Sequence, residues 1–327
     1  MSADMSTGKR GRRRYAVVHA AGVLSVLAVL FHAALAHAKL CGDDVQGLDV
    51  PCACGDTLVS SVVLTDDPVT STVCPGDGLI VRPSGVAGIT VDLNGQTLRG
   101  SGRGAGVWVL AGGVRVISSR QPARIEKFRD GVVAQGDDSL RLLDNVVIAF
   151  SGRDGVRVHG ANYIVNGVQV SDALHDAFAL GGHDFLITAN RATHSGRYGF
   201  FVMATRGTIG GNTSQGSVEA GFNVTGMSVF MSDCRATGAA DTGIEIGATN
   251  VKLEGCKAEG NLKSGIVGDG GSWSIGHNQA VGNGYDGLVI HAITASDEGG
   301  NSGSGNRGER WHQPAIQCSI NGAPCVP

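Results

Sequence analysis

The sequence predicts an all-β solenoid, a parallel β-helix, and three observations carry that expectation. Gly-(Val/Ile/Phe/Leu) pairs open repeats at Gly155, Ala177, Gly199, Gly221, Gly243, Gly265 and Gly287, each 22 residues apart, with Ala177 the one departure from Gly. Two slightly longer repeats start at Gly106 and Gly131. Within each repeat the second and fourth positions are almost all apolar (Val156 and Val158, Phe178 and Leu180, Phe200 and Val202), while the third varies freely (Arg157, Ala179, Phe201, Asn223). That in-out-in alternation is a strand with one buried face. Finally, the chain has 52 Gly and 42% apolar residues but no helical periodicity. The Gly excess lacks a three-residue period and comes with 8 Pro, which excludes collagen, and the apolar fraction excludes a disordered chain.

Taken from the N-terminus, residues 1–38 read as a secretory signal. Lys9, Arg10, Arg12, Arg13 and Arg14 form a basic start, residues 16–35 carry no formal charge, and Ala36-His37-Ala38 is an A-x-A cleavage site. The rival is an uncleaved anchor, since about 20 apolar residues span a bilayer. Cleavage leaves 289 residues with 21 Lys and Arg against 28 Asp and Glu, a net charge of −7. An acidic exported chain is a poor nucleic-acid binder, so no nucleic-acid partner is expected, nor a membrane after cleavage, and the chain is expected to be a monomer.

Residues 39–78 hold four cysteines and no repeat, and read as a cap on the solenoid. Residues 79–298 form the β-helix, about ten coils of 22 residues. A second inward position recurs at Val165, Ile187, Ile209, Met231, Leu253 and Ile275, and small residues recur at Ala192, Ser214, Ala236, Ala258 and Ala280. These describe three short strands per coil. Asn190, Asn212 and Asn278 share one column with Cys234 and Cys256, and stacked amides would satisfy turn after turn there. Asn212-Thr213-Ser214 fits a glycosylation sequon, but an inward Asn cannot carry a glycan. Residues 299–327 are a Gly-rich link and a disulfide-closed tail. The eight cysteines predict four local disulfides: Cys41–Cys52, Cys54–Cys74, Cys234–Cys256 and Cys318–Cys325. Cys234 and Cys256, one coil apart, could equally stay as stacked buried thiols.

The run Cys54-Gly-Asp-Thr-Leu, then Cys74-Pro-Gly-Asp-Gly-Leu, then Ile89-Thr-Val-Asp-Leu-Asn-Gly-Gln-Thr-Leu, resembles exported bacterial right-handed parallel β-helix proteins, as does the tail with Gln317-Cys318 and Cys325. The resemblance spans the mature chain. It implies the right-handed, single-stranded, pectate-lyase-like superfold. That superfold hosts pectate lyases, polygalacturonases, uronan epimerases, carbohydrate-binding domains and coils without activity, so function has to come from a site.

Gly136-Asp137-Asp138 resembles a polygalacturonase motif, but its partner motifs are absent and the segment reads as a polar turn. No coil pair presents three outward carboxylates, which argues against a calcium-dependent lyase. Zinc is disfavoured too, because no Cys-x-x-Cys occurs and the histidines are scattered. No nucleophile-elbow context exists, and no cofactor is expected. Asp172-Ala-Leu-His175-Asp176 is loosely similar to the Asp-Pro-His-Asp motif of uronan epimerases, with one residue inserted and no Pro. Its corner recurs as Arg129-Asp130, Arg153-Asp154, His175-Asp176 and Arg197-Tyr198. The expectation is a site for an acidic polysaccharide. His175, Asp176, Arg153 and Arg197 would carry chemistry, with Arg129, Asp130, Asp154, Arg157 and Tyr198 binding substrate. His159, His183 and Phe201 lie on or beside these coils as further sugar-facing groups. The alternatives are a solvated Arg–Asp ladder, and a non-catalytic structural or adhesive solenoid.

Overall fold

Equal positions of successive repeats stack in register, as the 22-residue spacing requires. The computed structural model describes residues 39–82, 88–308 and 315–325. The expected signal segment, 1–38, lies outside them. One inward column runs Leu79, Val107, Val132, Val156, Phe178, Phe200, Phe222, Ile244, Ile266, Leu288, with each residue paired in parallel to the next. All of these side chains are fully buried. Three of them stack as aromatic rings, Phe178 on Phe200 at 4.5 Å and Phe200 on Phe222 at 4.7 Å, which is the strand spacing itself.

Three separate short strands, as expected, make up the coils opening at Gly106, Gly131 and Gly155, but the later coils depart from that. In five successive coils the first two run on as one strand of 11 residues, Phe178–Thr188 through Ile266–Gly276. Single residues in the left-handed region bend them, Asp184 (φ 54), Arg206 (φ 57), Ser228 (φ 57) and Asn250 (φ 55). The pairing to the next coil skips that residue and resumes beyond it in the same register. The remaining strand of each coil is three residues, such as Arg191–Thr193, and builds a second parallel sheet.

The two ends differ from the middle. Within 39–78, Asp56–Leu58 pairs with Leu79–Val81, so the ladder already begins in the cysteine-rich segment. At the other end Leu288 pairs with Cys318. Among the described residues there is one helix, Pro68–Ser71, and no helix is long and apolar enough to cross a membrane.

Three of the four expected disulfides form: Cys41–Cys52, Cys54–Cys74 and Cys318–Cys325. The fourth does not. Cys234 and Cys256 are free and buried. Their side chains leave the same position of adjacent coils, and each thiol points at a backbone carbonyl, Cys234 at Ile209 (3.6 Å) and Cys256 at Glu254 (3.7 Å). Burial pushes the Cys234 thiol well above its ordinary pKa.

The amide column exists as expected. Asn190 Nδ2 donates to Asn212 Oδ1 (3.0 Å) and to the carbonyl of Val165 (2.9 Å). Asn212 is fully buried, so its sequon is closed to a glycan. A second column, Asn261–Asn283–Asn306, went unread in the sequence. It starts late, and its last step is 23 residues.

Candidate functional site

The site is built on one corner of the coil, where the chain turns into the long strand. Three aspartates stack there, Asp130, Asp154 and Asp176, all at most 2% exposed. Each carboxylate accepts the backbone N–H one coil on: Asp154 N–H to Asp130 (3.5 Å), Asp176 N–H to Asp154 (3.4 Å) and Tyr198 N–H to Asp176 (3.2 Å). The amide that each Asp satisfies therefore lies a full coil further along the chain.

Buried carboxylates need partners, because an unpaired one costs several kcal/mol. Arg129 Nε lies 2.9 Å from Asp130 Oδ2, and Arg153 Nε lies 3.0 Å from Asp154 Oδ2. Arg157 reaches Asp130 at 3.3 Å and Asp154 at 3.7 Å, and Arg197 Nε lies 3.1 Å from Asp176 Oδ1. The pairing expected of a salt ladder is therefore present, but its acidic side is buried rather than solvated.

His175 joins two of these coils. Its Nδ1 lies 2.8 Å from Asp154 Oδ1 and 3.4 Å from Asp176 Oδ2, and its Nε2 lies 3.0 Å from Arg197 Nη1. A guanidinium can only donate, so Nε2 accepts and the ring proton sits on Nδ1, facing Asp154. The imidazole is thus neutral and oriented at both nitrogens. Burial pushes the Asp176 carboxyl up, opposed by the Tyr198 N–H and Arg197.

Arg153, Asp154, Arg157, His175, Asp176 and Arg197 line one cleft of about 310 Å³, together with His159 and Phe201. Arg129 and Asp130 lie at its N-terminal flank, where Arg129 faces a smaller recess. Tyr198 is outside the cleft lining. Its ring stacks on Phe201 at 5.5 Å and sits under the Arg197 guanidinium at 4.6 Å, and burial with the Glu219 carboxylate pushes its phenol up to about 12. His183 does not join the cleft lining either; it pairs with Asp184 (2.9 Å). Asp137 and Asp138 sit on a turn away from the cleft, where Asp138 accepts from Asn162 (2.9 Å).

The cleft also contains residues that sequence reasoning missed, Ala179, Gly181 and Met203. The available signal was the third and fifth positions read across coils: Arg157, Ala179, Phe201 and His159, Gly181, Met203. Small residues between large ones make a notch.

Asp154, His175 and Asp176 bring ligand-type atoms within 4.8 Å of one another. They fit a cation poorly. Calcium takes six to eight oxygens, and here three guanidinium groups already neutralise the carboxylates.

Residues 154–306 match the family described as right handed beta helix region, a stretch that covers the His175 corner. No curated protein matches the sequence. Among solved structures, the catalytic unit of a thermostable GH87 alpha-1,3-glucanase from Streptomyces thermodiastaticus strain HF3-3 is similar, at 14% identity and a TM-score of 0.46 over 85% of this chain and 58% of that one. The chain thus spans little more than half of that catalytic unit. The Azotobacter vinelandii mannuronan C-5 epimerase AlgE4 A-module is similar at 12% identity and a TM-score of 0.40, over 83% of this chain and 90% of that one.

Proposed function

We propose, from the premise that this chain is a right-handed parallel β-helix repeat protein, that it is exported and that its Asp154–His175–Arg197 corner binds an acidic polysaccharide and moves a proton on it. The observation that carries this is the hydrogen-bonded chain from Asp154 through both nitrogens of His175 to Arg197, set in one cleft with two further guanidinium groups. Arginine forks hold carboxylates by paired hydrogen bonds. A uronate carboxylate drawn to Arg197 competes with His175 for that guanidinium and leaves Nε2 free to take a proton. Asp154 then stabilises the imidazolium that forms. Loss of the proton beside a sugar carboxylate puts negative charge on that group, where Arg153 and Arg157 stand. Asp176, held protonated to higher pH than an ordinary carboxyl, is the group suited to act as acid. Lyase and epimerase chemistry both use this set. Export accords with the three disulfides.

The experiment is a screen of the purified mature protein against uronate polysaccharides, reading binding, unsaturated products by ultraviolet absorbance and epimers by NMR. Binding by the parent, with loss of binding or turnover in Arg153→Ala and His175→Ala variants that still fold, is the expected result. No binding to any acidic polysaccharide would overturn the proposal. One observation favours a non-catalytic adhesive or structural solenoid instead: each guanidinium of the corner already has a carboxylate within 4 Å. On that account the His175→Ala variant binds and behaves as the parent does.

A further inference from the structure

The cleft has walls along the axis of the coil stack. In the register of the long strands, Arg157 pairs with Ala179 and Ala179 with Phe201, while His159 pairs with Gly181 and Gly181 with Met203. Only the middle coil is small. Arg157 on one side is fixed by Asp130 and Asp154, and its side chain is 23% exposed. Phe201 on the other side is backed by the Tyr198 ring. The far end is nearly closed. A Cβ on Gly181 would sit 2.7 Å from His159 Nδ1 and 3.7 Å from Met203 Cε, so these two side chains lean together over the glycine. The near end holds Asp154, His175, Asp176 and Arg197. Beyond Arg157 lies a separate recess of about 60 Å³ lined by Trp108, Arg129 and Gln135, which shares only the Arg157 wall with the cleft.

A sugar chain laid along the coil stack would have to climb over Arg157 and Phe201. A single ring set across the stack, over Ala179, meets no such barrier. Its carboxylate then faces the guanidinium end and its ring the Phe201 side. The volume, about 310 Å³, is at the lower limit of small-molecule pockets, roughly 300–1,000 Å³. We infer that the cleft seats the one terminal uronate ring of an acidic chain, held crosswise over Ala179, and not an internal stretch running along the solenoid. This deepens the proposed function and rests on it.

The test is titration calorimetry with galacturonate, glucuronate and mannuronate series from monosaccharide to hexasaccharide, on the parent, Ala179→Leu and Asn223→Leu. Asn223 occupies the outward position one coil beyond Phe201, so a chain along the stack would cross it. The expected result is one affinity per chain end that does not rise with length, a loss of about tenfold or more in Ala179→Leu, and no change in Asn223→Leu. Circular dichroism and melting show that both variants fold; Ala179→Phe replaces Ala179→Leu if that variant does not. Affinity that climbs steadily to the hexasaccharide, or falls in Asn223→Leu while Ala179→Leu is unaffected, would overturn the inference and leave the proposed function standing. Absence of binding by every uronate at every length would overturn the proposed function itself.

Discussion

Coils between Asp130 and Met203 and coils between Gly221 and Ile290 make the same turn with different corners. The first group places the buried Asp130, Asp154 and Asp176, then Tyr198, at the corner, and the second places Ala220, Thr242, Ser264 and, in its last coil, a half-buried Asp286 that accepts from the Ile316 N–H. The backbone does not register the exchange. Gly155 N–H reaches the Asp176 carbonyl at 3.0 Å, and Gly243 N–H reaches the Ser264 carbonyl at 2.9 Å. His175 N–H bonds the Arg153 carbonyl at 3.0 Å, and Lys263 N–H bonds the Asp241 carbonyl at 3.1 Å. The solenoid therefore turns this corner without a buried carboxylate. Folding explains the corner column as far as a small or hydrogen-bonding residue; it does not explain three buried acids, four arginines and a histidine gathered on a few adjacent coils. The remainder is what a ligand site would account for.

The largest expected contrast is in activity. His175→Ala should lower turnover on the substrate by about 10²–10⁴-fold, the usual worth of a positioned acid–base group, with melting unchanged. His291→Ala, at an outward position far down the stack, should change neither. Equal turnover in the two variants would erase the contrast.

Stability should show the reverse ranking. Asn278 is fully buried, and its amide serves the Cys256 N–H, the Leu253 carbonyl and Asn301. Asn278→Ala strands those groups and should cost about 3 kcal/mol by urea unfolding, as buried unpaired polar groups cost roughly 1–3 kcal/mol each. The same variant, if folded, should bind ligand as the parent does.

A smaller effect concerns pH. The Asp176 carboxyl is raised in the folded state, so the folded chain holds that proton more tightly than the unfolded chain. Its contribution to stability is highest below the unfolded carboxyl pKa of about 3.9 and falls as pH rises through the folded value. The stability of the parent minus that of Asp176→Asn should decline as pH rises from about 4 towards neutrality. A difference that increases with pH would show that the arginines, and not burial, dominate there. The smallest effect belongs to the second group's own ion pair. Lys263 meets Asp241 at 2.6 Å with both side chains exposed to solvent. Lys263→Ala should shift stability by no more than about 0.5 kcal/mol, as exposed pairs do.

What the sequence made legible follows the same division. Inward columns repeat every 22 residues because stacking forces one side chain onto the next, and so Phe178, Phe200 and Phe222 could be read directly. The bends within the long strands could not, since Asp184, Arg206, Ser228 and Asn250 share a backbone angle and no chemistry. The Cys234–Cys256 column was visible, but whether two stacked thiols bond depends on where their side chains point. The charged corner was legible as a register of Arg, His and Asp. Its depth was not, because the register does not show that Asp130, Asp154 and Asp176 turn in against the backbone N–H groups of the next coil. The notch was least legible of all. Ala179 and Gly181 matter by being small, and no motif announces a missing side chain.

The central claim is that the corner of the first group serves a ligand and that of the second serves the fold. The most direct test transplants one onto the other: His175→Lys with Asp176→Ser reproduces the Lys263-Ser264 corner at the site. Melting and binding to uronate oligosaccharides are then measured on one preparation. The account predicts a folded protein that melts close to the parent and no longer binds. A transplant that binds as the parent does, or one that cannot fold, would contradict it.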